Sequence, residues 1–191
     1  MHLPELLSCT SLLLYTSTNA PIKPWISRKI VHMGIGTLLF NADISDPNVV
    51  NGIYTSGVLV SGLTTINGIK HISEGRKTDG IIKDIGIFSY VISCCLCLLL
   101  SVPYIEMAPL FYADPAGAIF GRTIESPILW ENKTLAGTSA VLTTATITST
   151  GEIHEKIIAG VMITIIELFG GKIDNSLIAT FLILKYLLMQ N

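Results

Sequence analysis

The stretch Phe111–Ala140, FYADPAGAIFGRTIESPILWENKTLAGTSA, places Asp114, Arg122 and Lys133 between segments built from alanine, glycine and aliphatic residues. It reads as the ends of two apolar spans joined by one short charged loop. Taken alone, Gly117 and Gly121 form a GxxxG, a stripe that lets helices pack closely. Packing does not account for the carboxylate, because an ionisable group inside an apolar chain is costly and is usually retained for a function.

The rest of the sequence explains why lipid is the expected surrounding. Half of the 191 residues are hydrophobic and 14% are charged, against about a quarter charged in soluble domains, and the mean hydropathy is +0.61. Net charge is −2 with both signs dispersed, so no basic surface points to nucleic acid and no acidic tail is present. Cys94, Cys95 and Cys97 lie within the run SYVISCCLCLLLSV. That run lacks the polar loops and paired spacing of a zinc site or disulfide framework, and Cys9 stands alone, so the cysteines read as small apolar filler.

Eight apolar runs are broken by charged or Pro/Gly/Asn clusters: Leu6–Ala20, Ile30–Ala42, Val49–Ile69, Ile81–Val102, Ile105–Phe120, Leu135–Thr150, Ile157–Phe169 and Leu177–Met189. They predict an all-α fold, a polytopic transmembrane bundle of seven or eight spans forming one integral domain over residues 1–191. Several runs fall short of the ~20 residues a bilayer core requires and need extended ends or a tilt. The first run follows Glu5 and no Lys or Arg, and lacks a clear cleavage site, so it reads as a span rather than a signal peptide. Basic residues concentrate in alternate loops: Lys23, Arg28 and Lys29; Lys70, Arg76, Lys77 and Lys83; Arg122 and Lys133; and Lys172. By the positive-inside rule these loops face the cytoplasm together and can build one site.

Asp114 is the candidate Mg²⁺ ligand, since Mg²⁺ takes one or two carboxylates plus phosphate oxygens and water. Lys133 is a compact charge suited to phosphate, and Arg122 is a second cation nearby. Thr134, Gly137 and Thr138 offer a hydroxyl and amides at a helix start, which attracts anions. Each alone has an ordinary explanation: Arg122 and Lys133 as snorkelling anchors, Glu167 as a partner for a neighbouring span, Asp174 and Asn175 as helix caps, His32 as an interfacial histidine. Asp114, the small residues after it, Arg122, and Lys133 with its own small-residue turn together form an inventory for a metal-bound nucleoside triphosphate.

DPAGAIFGR followed by NKTLAGT resembles the signature of the polyprenol kinase family. Its members are CTP-dependent lipid kinases, including dolichol kinase, phytol and farnesol kinases and the yeast-type diacylglycerol kinase. RKIVHMG, Arg28–Gly34, GRKTDG, Gly75–Gly80, and ELFGGKIDNSLIA, Glu167–Ala179, extend the resemblance in order over residues 28–190. Ala113 and Pro115 depart from the family pattern, which has glycine before the aspartate and a small or hydroxyl residue after it. The resemblance implies a CTP-dependent kinase with Mg²⁺ as cofactor, phosphorylating the hydroxyl of a lipid alcohol in the endoplasmic reticulum or another internal membrane. The implied catalytic residues are Asp114, Lys133, Glu167, Asp174 and His32. The implied nucleotide contacts are Arg122, Gly117, Gly121, Thr134, Gly137, Asn175, Arg28 and Lys29, with membrane lipids as surroundings. Two alternatives remain at this level: a phosphatidate cytidylyltransferase, which shares the Asp, Gly-Arg and Lys-Thr elements, and a non-catalytic transporter or scaffold whose charges line a pathway.

Overall fold

A computed structural model of the chain describes residues 1–66 and 85–190. Within them run eight α-helices: α1 Leu3–Asn19, α2 Pro24–Phe40, α3 Pro47–Ile66, α4 Ile85–Leu99, α5 Ala108–Thr123, α6 Leu135–Thr148, α7 Ile153–Phe169 and α8 Asp174–Met189. Each lies over one of the eight apolar runs. The breaks between runs supply the helix starts: Pro4, Pro47 and Pro109 occupy first-turn positions, where a missing N–H costs nothing. Glu152 and Glu155 form a capping box before α7, with Glu152 N donating to Glu155 Oε2 at 2.8 Å. The loop GRKTDG, with Arg76, Lys77 and its neighbours Lys70, His71 and Lys83, lies outside the described residues.

The helical class holds, but the transmembrane bundle does not. Among the described residues no helix is long and apolar enough to cross a membrane. Seven helices have 14 to 17 residues and rise about 21–26 Å, below the ~30 Å of a hydrocarbon core. The exception, α3, has 20 residues but spends several on Asn48, Asn51, Thr55, Ser56 and Ser61. The expected multi-pass insertion in the endoplasmic reticulum or another internal membrane, with loops sorted to a cytoplasmic face, is corrected on the same ground. The apolar surplus goes partly into two helical cores and partly to the outside, where Leu12, Val58, Leu59, Leu99, Ile147, Ile153 and Leu188 stand exposed.

The chain forms two compact units, residues 1–100 and 101–191. In the first, α1 packs on α2 and α3, and α3 on α4, around Leu6, Leu39, Val49, Ile53, Tyr90 and Cys97. Ser27 Oγ donates to Ser17 O at 2.6 Å, joining α2 to the end of α1. Burial pushes the Cys94 and Cys97 thiols up, Cys97 to about 12, so both are inert packing groups.

In the second unit a 3-10 turn, Tyr104–Met107, leads into α5; α5 packs on α6, α6 on α7 and α7 on α8, with Met107, Leu110, Phe111, Val141, Ile163, Ile178 and Leu182 in the core. Between α5 and α6 the chain makes a small antiparallel hairpin, β1 Ile128–Trp130 and β2 Lys133–Thr134. The packing of α5 on α6 depends on glycine. A Cβ on Gly137 would meet the carbonyl oxygen of Gly117 at 2.8 Å and the Cα of Gly121 at 3.1 Å. Both obstacles are backbone, so the two helices approach at a distance only glycine allows.

Candidate functional site

Lys133 is positioned by the hairpin. Trp130 stands opposite Lys133 and Ile128 opposite Thr134, with Glu131 at positive φ (45°) making the tight turn. Thr134 then caps α6, its Oγ1 accepting from Gly137 N at 3.3 Å. Two more first-turn amides are satisfied from the loop: Leu135 N donates to Pro127 O at 2.8 Å and Ala136 N to Ser126 Oγ at 3.0 Å. The amides expected to attract an anion at this helix start are therefore occupied within the protein. Any phosphate contact here falls to the side chain of Lys133.

That side chain turns toward three carboxylates. Lys133 Nζ donates to Glu167 Oε1 in a short ion pair and lies 3.8 Å from Asp174 Oδ2. Asp114, buried on α5, is close enough to act electrostatically on both Lys133 and Glu167. The ammonium carried by β2 is thus surrounded by carboxylates from three other places in the chain: α5, the end of α7 and the start of α8. Glu167 is buried, and its second oxygen, Oε2, has no hydrogen-bond partner among the described residues.

The charge balance decides the protonation. Three carboxylates facing one lysine in a largely dry site cannot all ionise cheaply. Burial, then Asp114 and Asp174, push the Glu167 carboxyl up to about 8, outweighing the pull of Lys133. Burial also works against the Lys133 charge, but Glu167, Asp174 and Asp114 together raise it above its ordinary value. Both shifts are met with Lys133 charged and a proton held on Glu167 near neutral pH.

The other expected residues fall elsewhere. Gly117, Gly121 and Gly137 are spent on the α5–α6 contact described above. Arg122 is exposed in the last turn of α5, where a cation suits the helix dipole. Asn175 is buried in the first turn of α8, beside Asp174. Arg28, Lys29 and His32 stand on α2 of the first unit, where the His32 ring contacts Tyr90 (centroids 4.2 Å apart) and its carbonyl accepts from Tyr90 OH at 3.0 Å. Pro115, inside α5, has no N–H to offer the carbonyl four residues back, and it directly follows the buried aspartate.

One polar cluster was not foreseen. Thr150 Oγ1 donates to Glu106 Oε2, while Lys185 Nζ donates to Thr150 O at 2.9 Å and Thr150 Oγ1 at 3.2 Å and lies 3.8 Å from Glu106 Oε2. Lys185 lies eleven residues after Asp174 on α8, about 16 Å along the helix, so it closes the opposite end of the unit. Its signal in the sequence was a lone lysine inside the last apolar run.

Among the described residues no group of three or more His, Cys, Asp or Glu side chains is gathered as metal ligands. A Mg²⁺ carried by a nucleotide needs only one or two carboxylates, and Asp114 and Asp174, both beside Lys133, fit that donor set. No family model, curated protein or solved structure matches the chain.

Proposed function

We propose that the chain is a phosphotransferase that moves the γ-phosphoryl group of CTP to the hydroxyl of a lipid alcohol, of the polyprenol, dolichol, phytol, farnesol or diacylglycerol kind. The observation that supports this reading is the meeting of Lys133 with Glu167, Asp174 and Asp114. Asp114 and Lys133 of one motif and Glu167 and Asp174 of another are far apart in sequence yet meet in one unit, whereas Arg28, Lys29 and His32 lie in the other. Phosphoryl transfer asks a protein for alignment and charge neutralisation more than for covalent chemistry.

Lys133 is the phosphate contact, reached through its part-exposed ammonium. Asp114 and Asp174 are the carboxylates for Mg²⁺, which when bound supplies neutralisation of the phosphate oxygens. Glu167 is the proton acceptor: a carboxyl near 8 is matched to proton transfer close to neutral pH. In its ionised form it takes the acceptor's hydroxyl proton as the new P–O bond forms and the bond to the departing CDP breaks. The choice of cytosine rests on the resemblance alone.

The test uses the purified protein with γ-labelled CTP, Mg²⁺ and a panel of lipid alcohols in detergent. Label is expected in the phosphate of one alcohol, with CDP as co-product, and a loss of at least about a hundredfold in Asp114→Asn and Lys133→Ala. Release of pyrophosphate with a CDP-lipid would instead mark a cytidylyltransferase. No label in any lipid from folded protein refutes the kinase.

One observation favours a second reading, in which the cluster is purely structural. The same unit carries Glu106, Thr150 and Lys185 in a similar, part-buried arrangement with no motif around it. A structural cluster predicts that Asp114→Asn changes unfolding free energy and transfers no label in either form.

A further inference from the structure

Lys133 does not stand ready for an anion. Among the described residues the hydrogen bond its ammonium makes goes to Glu167 Oε1, with Asp174 Oδ2 farther off at 3.8 Å and Asp114 acting through its charge. An ammonium has three donors, so geometry leaves room for a phosphate. Charge does not, because one positive charge set among these carboxylates offers an incoming anion no net attraction. The helix start supplies no substitute, since the N–H groups of Leu135, Ala136 and Gly137 are bonded within the protein. A phosphate therefore binds here by drawing Lys133 outward, and the bond it must break is the one to Glu167.

The two ends of that bond differ in freedom. The side chain of Lys133 is 32% exposed and that of Glu167 10%, so the lysine can turn out on its flexible stem while the glutamate stays in place. The hairpin need not move with it. Trp130, paired with Lys133 across the hairpin, meets Phe169 of α7 with ring centroids 5.4 Å apart, and this second contact keeps the hairpin on α7. A return is built in as well. Glu167 Oε2 has no hydrogen-bond partner among the described residues, so a glutamate that loses Lys133 is left without a donor and draws the lysine back once the phosphate leaves.

Resting on the phosphotransferase reading, we propose that the Lys133–Glu167 pair is an autoinhibitory latch, in which Glu167 and the phosphates of the nucleotide compete for one ammonium. Part of the nucleotide's binding free energy goes into opening the pair, so the resting protein holds nucleotide more weakly than a free Lys133 would. A field of negative charge would also weaken an anion, and the two differ in one respect. A latch requires Glu167 to reach Lys133, whereas a field requires only its charge. Glu167→Asp separates them, because it keeps the charge and withdraws it by one methylene.

The test is equilibrium dialysis of CTP and of inorganic tripolyphosphate, each with Mg²⁺, against the intact 191-residue chain in detergent. It is run at pH 9, where the Glu167 carboxyl, up at about 8, is ionised. Glu167→Gln and Glu167→Asp are both expected to bind the two ligands about tenfold more tightly than the unchanged protein, and Lys133→Ala to erase the gain in either background. A gain in Glu167→Gln alone would make Glu167 a source of repulsion only and overturn the latch. No gain in either variant, a gain that survives Lys133→Ala, or no binding by any of the proteins overturns it too. Binding is read without turnover. Tighter binding in both variants, with no label passed to any alcohol by the unchanged protein, would refute the kinase and leave the latch standing; label transfer without tighter binding would do the reverse.

Discussion

Replacing Glu167 by glutamine should flatten the pH dependence of stability in the second unit. The carboxyl of Glu167 moves from an ordinary value of 4.5 up to about 8 on folding, because it is buried and faces Asp114 and Asp174. Between those values the folded state keeps a proton that the unfolded state has released. The unfolded state then binds fewer protons, so stability falls as pH rises; the contribution is fully present below about 4.5 and lost by the time pH passes 8. At about 1.4 kcal/mol per unit, the loss between pH 5 and 8 comes to roughly 4 kcal/mol. Among the described residues the charged groups that act on Glu167 are Lys133 from the hairpin, Asp114 from α5 and Asp174 from α8, while α6 carries no charged residue. Glutamine keeps an oxygen for Lys133 and removes the titration. Urea unfolding at a series of pH values is the assay, followed through Trp130 in a Trp25→Phe background, since the chain has two tryptophans. Wild-type and Glu167→Gln curves that run parallel from pH 5 to 8 would show that no proton is held there.

Gly137→Ala should cost about 1–3 kcal/mol in unfolding free energy, because its Cβ would press on the backbone of Gly117 and Gly121. Thr134→Val removes the cap on α6, with an expected loss of about 1 kcal/mol by the same measurement. Lys185→Met leaves the part-buried Glu106 with Thr150 as its donor and without its counter-charge and should cost about 1–3 kcal/mol, whereas Lys185→Met with Glu106→Leu should recover much of it; equal losses in both variants would show that charge is not the cause.

The helices were legible because the chain marks their ends with Pro, Asn, Gly and charge, and all eight apolar runs became helices. Their environment was not. An apolar run of 14 to 17 residues reads alike whether it faces lipid or other helices, and composition adds up core and surface without separating them. Within the site, Asp114, Lys133, Glu167 and Asp174 were chosen through a resemblance, and it was the fold that brought them together; no local spacing reveals that Lys133 meets a glutamate 34 positions later. The glycines and the amides of α6 suit a nucleotide, close helix packing and capping equally well in sequence, and the fold spends them on packing and capping. Lys185 carries no local signal, because its partners, Thr150 and Glu106, lie 35 and more residues away.

The hairpin between α5 and α6 also has a kinetic side. It joins two helices that are neighbours in sequence and in space, so the contacts of Gly117, Gly121, Thr134 and Gly137 close over short loops, and short loops close early in folding. The Lys133–Glu167 pair and the Trp130–Phe169 contact wait for α7, and Asp174 waits for α8. The candidate site is thus assembled by the later steps of folding, onto a nucleus that already holds Lys133 in place. Substitutions at the glycine contact should slow folding, while those at Glu167 and Asp174 should act mainly on unfolding.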